Sequence, residues 1–100
     1  MDPQLNRDEI GRRLAAHRSD LLRLDVRSLR LFGSYARGTS SAASDIDFLV
    51  EFDGKATFDR FMDAKLFLED LFGKRVDLVT PKALRPEMRP TIEREAVRVA

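Results

Sequence analysis

Cysteine is absent from the 100 residues. That excludes a disulfide framework and thiolate metal sites, and it fits a reducing compartment, with the cytoplasm as the default location. No apolar run approaches the roughly 20 residues needed to cross a bilayer, and the opening residues 1–7 hold no apolar signal core. No membrane association is expected. An excess of one charge is lacking as well: 18 Lys and Arg stand against 17 Asp and Glu, a net charge of +1. A dedicated nucleic-acid binder is strongly basic, so direct nucleic-acid binding is not expected. Neither a Walker A pattern nor G-x-G-x-x-G occurs, which leaves P-loop enzymes and dinucleotide-binding folds unsupported. The single histidine, His17, falls on the apolar stripe of a predicted helix. A boundary role suits it better than a catalytic one.

What is present is the material of one small domain, residues 1–100, with 43% hydrophobic content. Asn6 followed by Glu9 resembles a capping box, and Ile10, Leu14, His17, Leu21 and Leu24 then recur at helical spacing. One helix is predicted from Arg7 into the low twenties. Leu29 to Phe32 reads as a strand ending at Gly33-Ser34, and residues 36–44 as a loop with room for a short helical turn. Asp45 to Phe52 alternates with period 2: Asp45, Asp47, Leu49 and Glu51 share one face, and Ile46, Phe48, Val50 and Phe52 the other. Thr57 to Phe72 reads as a helix stopped by Gly73, and Arg75 to Val79 as a third strand. Thr91 to Ala96 could add a helical turn or two, and Ala96 to Val99 a small strand. The plan is α/β (α+β), with a small mixed sheet of three to four strands packed with helices.

The chemistry concentrates in Leu31–Gly38 and Ser44–Val50. Asp45 and Asp47 lie two apart on a strand, so both carboxylates leave one face. Side by side they repel, and a hard divalent cation with oxygen ligands relieves that repulsion. Asp77 alternates with Val76 and Leu78 in the third strand and would join the pair if the two strands are neighbours. Three carboxylates suit two metal ions roughly 4 Å apart that clamp the attacking and leaving oxygens of a phosphoryl transfer. Gly33 lets backbone approach a phosphate closely. The turn amides and the Ser34 hydroxyl could bind phosphate oxygens, while Arg37 could add a charged contact or tie the loop to a carboxylate.

Gly33-Ser34, ten intervening residues and Asp45-x-Asp47 resemble the signature of the DNA polymerase beta-like nucleotidyltransferase superfamily. Within it the chain looks like the minimal nucleotidyltransferases (MNT), including the antitoxins of HEPN/MNT toxin–antitoxin pairs. The resemblance runs through the Val76–Val79 strand to the closing Ile92–Val97. It implies a minimal nucleotidyltransferase fold. It also implies Mg²⁺ as cofactor, two ions held by Asp45, Asp47 and Asp77, with Asp77 also drawing the proton from the attacking hydroxyl. Gly33, Ser34 and Arg37 would hold the nucleotide, with ATP as substrate. The implied activity is transfer of AMP to a tyrosine of a HEPN toxin partner, which silences it. Two alternatives stand beside this reading. One is an antitoxin that neutralises by binding alone; the other is the catalytic subunit of a small-molecule nucleotidyltransferase. The apolar coverage of the Thr57–Phe72 helix exceeds one stripe, so either the fold covers it on two sides or part of it docks a partner, homomeric or otherwise.

Overall fold

The computed structural model describes residues 5–100. Its elements in chain order are α1 (Arg7–Ala16), α2 (Arg18–Arg23), β1 (Val26–Phe32), α3 (Gly33–Arg37), β2 (Ile46–Phe52), α4 (Phe58–Phe72), β3 (Val76–Val79), a 3₁₀ turn at Pro81–Ala83, α5 (Arg89–Glu95) and β4 (Val97–Arg98). The four strands form one mixed sheet in the order β3-β2-β1-β4. β1 pairs antiparallel with β2 and β4, whereas β2 and β3 run parallel. A parallel neighbour demands a crossover, and α4 is that crossover.

One side of the sheet carries the main core. Ile10 and Leu14 of α1, Leu21 of α2 and Ala64, Leu68 and Phe72 of α4 pack there with Leu29, Leu31, Ile46, Phe48, Val50, Val76 and Leu78 from the strands. Phe48 is fully buried and meets Phe72 with ring centroids 6.0 Å apart. The alternation of β2 is thus confirmed for Ile46, Phe48, Val50 and Phe52. Leu49 departs from it: although on the aspartate face, it is fully buried. Like Ile92 of α5, it is buried outside the main cluster.

The predicted single N-terminal helix is two helices. His17 caps the end of α1 with φ −113° and ψ 27°, and its N–H bonds to the Leu14 carbonyl at 3.1 Å in place of the i−4 carbonyl. The imidazole lies at the boundary, 3.0 Å from Asp20 Oδ2 and edge-on to Phe67. Asn6 accepts from the Glu9 amide at 2.8 Å as expected. The reciprocal half of the box is missing, because the Glu9 carboxylate is taken by Arg12 and Arg13. β1 starts at Val26, three residues earlier than predicted, while Asp45 and Arg75 fall just outside their strands. Gly33-Ser34 opens a short helix, α3, directly off β1.

α4 begins at a Thr57 cap and stops at Gly73, which is left-handed at φ 63°. Its wide apolar coverage is largely used: Phe61, Phe67 and Leu71 pack against the core. Phe58 and Leu66 remain uncovered, at 76% and 56% exposure. Pro90 sits in the first turn of α5, where its missing N–H leaves no helical bond unmade.

Candidate active site

The site forms where β1 hands over to α3. Gly33 has φ +73°, a conformation glycine adopts without penalty. It also lies against Asp47: a Cβ at Gly33 would overlap the Asp47 carboxylate oxygen and stand 3.0 Å from its Cγ. No other residue type fits between the turn and that carboxylate. Phe32, the residue before the helix, offers no side-chain cap, so the first-turn amides of α3 stay free of a side-chain acceptor. Such amides suit an anion. Ser34 is the second residue of α3, and its carbonyl receives the amides of Gly38 and Thr39. Tyr35 is buried at 4% exposure and packs in the core.

The register of the parallel pair sets Asp47 opposite Asp77. Adjacent strands lie about 4.8 Å apart, so Asp77 stands beside Asp47 across the strand pair. Asp45 precedes β2 and shares a cleft of about 290 Å³ with Asp77, walled by Lys65, Glu69 and Arg75. The electrostatic result falls on Asp47, whose pKa is pushed up to about 6. Burial contributes most, followed by repulsion from Asp77 and then Asp45, while Arg37 pulls the other way. Arg37 itself is half-exposed and pairs with Glu95 of α5 at 3.3 Å. Tying the segment to a carboxylate, one of its expected roles, is realised. Glu51 stands apart from the three aspartates and pairs with Arg30 of β1 at 3.3 Å.

Among the described residues, no three carboxylate or imidazole groups are gathered closely enough to hold a metal ion outright. In chemistry the donors fit Mg²⁺. All are carboxylate oxygens, and the repulsion that adds to burial in raising the Asp47 pKa is what a divalent cation would relieve.

Sequence reasoning missed Glu69. Its Oε2 accepts the Val76 amide at 3.1 Å, linking the last turn of α4 to the strand residue just before Asp77. The available signal was position alone, one turn ahead of the Gly73 stop. Lys65, one helical turn earlier, faces the same cleft and was likewise unmarked.

A glycine turn pressed against a carboxylate, with a second carboxylate in register on the parallel neighbour strand, is the arrangement that the resemblance to nucleotidyltransferases leads one to expect. The family model of the nucleotidyltransferase domain matches residues 13–99, and the chain belongs to that family. It is 40% identical over 96 residues to the protein adenylyltransferase MntA of Thermococcus cleftensis, covering 95% of this chain and 97% of the relative. A solved minimal nucleotidyltransferase superposes with a TM-score of 0.80 at 35% identity, covering 96% of this chain and 98% of that one. A toxin–antitoxin crystal structure containing AMP-PNP shares the fold, with a TM-score of 0.70 at 22% identity over 90% of this chain and 72% of that one.

Proposed function

We propose that the chain transfers AMP from ATP to a tyrosine hydroxyl of a HEPN-type toxin and so acts as its antitoxin. The observation that carries this reading is the Gly33–Asp47–Asp77 arrangement: a glycine turn at a helix start, pressed against a carboxylate that a second carboxylate on the parallel neighbour strand repels. The relative that is a protein adenylyltransferase supports the choice of AMP and of a protein acceptor.

In this reading the amides of Gly33 and Ser34, with the Ser34 hydroxyl, hold the β- and γ-phosphates. Asp45, Asp47 and Asp77 would hold Mg²⁺, which when bound supplies charge against the triphosphate and the leaving group. Asp77 takes the proton of the acceptor hydroxyl. The hydroxyl oxygen bonds to the α-phosphorus as the bond to the bridging oxygen breaks, and pyrophosphate leaves. Positioning by the rigid sheet supplies most of the acceleration. Arg37, held by Glu95, is placed to steady α3 and to offset the negative charge on Asp47.

Exposed Phe58 and Leu66 favour a second reading, in which neutralisation is by binding alone. Incubation with α-labelled ATP and Mg²⁺, with and without a co-purified partner protein, separates the two through the intact mass of both chains. The expected result is one added AMP on the partner, absent with Asp45→Asn/Asp47→Asn. A tight complex with no transfer by the wild type would remove the enzymatic reading.

A further inference from the structure

We infer that an acidic, partly apolar segment of the acceptor protein docks in the groove at the far end of β2, away from the aspartates. This inference rests on the reading that the acceptor is a protein. The groove has a volume of about 690 Å³. Phe52, Ala56 and Pro81 give it apolar lining, and Lys55, Lys82 and Arg89 border it with positive charge. Arg89 is partly answered by Glu93 at 3.3 Å. Lys55 and Lys82 enter no ion pair among the described residues. The one acidic residue in the wall, Glu51, is neutralised by Arg30. The groove therefore presents unanswered positive charge beside apolar surface, in a chain whose total charge is only +1.

That combination suits a short peptide segment. A phosphate backbone draws on many cations spread along its path, and it has no use for an apolar lining. A pair of carboxylates flanking an aliphatic side chain matches both features. Position points the same way. Glu51 lies four residues beyond Asp47 on one strand, about 13 Å at strand rise. An extended acceptor with its hydroxyl at the aspartates would place residues four to five positions away in the groove. Acidic residues there are also more than a Debye length of about 8–10 Å from the aspartates, so the site repels them little.

The test uses the full ¹⁵N-labelled chain and two synthetic peptides with one tyrosine each. One carries Asp, Leu and Glu at positions four to six from the tyrosine, and the other Lys, Leu and Lys. The acidic peptide is expected to shift the amide resonances of Gly54–Ala56, Thr80, Lys82 and Arg89, with an apparent Kd raised at least tenfold by Lys55→Glu/Lys82→Glu. Lys55→Ala/Lys82→Ala, which removes charge without reversing it, is expected to give a smaller loss, and unchanged melting checks the fold of both variants. Equal shifts from both peptides, shifts elsewhere, or none at millimolar peptide would overturn the proposal. So would a short RNA oligonucleotide that occupies the same amides more tightly than the acidic peptide. Binding is read here without nucleotide. A failure of AMP transfer therefore leaves this result intact, and a failure of peptide binding leaves the transfer reading intact.

Discussion

Replacing Asp47 by Asn should make the metal-free protein more stable while abolishing transfer. The Asp47 carboxyl is raised from 3.8 to about 6 in the folded state. A raised acid pKa means that the folded state binds a proton more tightly than the unfolded chain. Its contribution to stability is present below 3.8 and lost as pH rises through 6. Taken whole, the shift would cost about 3 kcal/mol at pH 8, at about 1.4 kcal/mol per unit. Asp47 is only part-buried, and solvent screening brings the figure down to about 1–2 kcal/mol. For a domain of this size that corresponds to a melting increase of about 5–12 °C for Asp47→Asn. Calorimetry at pH 8 in a chelator tests it, with a second series descending to pH 4, where the gap between variant and wild type should largely close. Added Mg²⁺ should raise the wild-type melting point and leave the variant nearly unmoved. A variant that melts at or below wild type at pH 8, or a gap independent of pH, would refute the electrostatic account of this site.

Three further outcomes follow from contacts within the fold. Gly33→Ala and Gly38→Ala both force a left-handed residue, each costing about 1–2 kcal/mol, yet only the Gly33 methyl meets Asp47. Both should therefore melt lower, but only Gly33→Ala should lose AMP transfer; equal activity in the two would show that the close approach is irrelevant. Glu69→Ala removes the acceptor of the Val76 amide, worth about 1 kcal/mol, and is expected to lower kcat about tenfold by loosening β3 beside Asp77. Glu69→Gln, which keeps an acceptor oxygen, should restore it. Leu68 is fully buried in the core, and Leu68→Ala should cost about 2–5 kcal/mol by urea unfolding; a loss under about 1 kcal/mol would mean that α4 packs differently.

The sequence revealed elements whose period matched their environment. β2 was legible because its buried residues alternate, and α4 because Thr57 and Gly73 mark its ends. The break at His17 was hidden because Ile10, Leu14 and Leu21 keep helical spacing across it. Periodicity reports which face is buried, and a change of direction that preserves the face leaves no trace. The first residues of β1 were obscured by Arg27 and Ser28, polar positions on a strand with only one covered side. Leu49 was placed correctly with the aspartates by alternation. That it would be covered depended on the second face of the sheet, which no pattern within β2 encodes.

The aspartate pair and the glycine turn are local, so spacing alone exposed them. Asp77 depended on a partner strand thirty residues away, and its register has a physical origin in α4. β2 has seven residues, about 23 Å at strand rise. α4 has fifteen residues, about 22 Å at 1.5 Å each. The crossover therefore returns the chain by nearly the length that the strand advanced, and β3 opens level with the start of β2. Ile46 then falls beside Val76 and Asp47 beside Asp77. Glu69 fixes the remaining freedom by binding the Val76 amide as the chain turns back into the sheet. Lengthening α4 by one full turn should displace β3 by about 5.4 Å, enough to separate the two carboxylates by more than one residue of strand. Such an insertion is expected to leave a folded domain that no longer transfers AMP, and an active insertion variant would show that Asp77 works from somewhere other than this register.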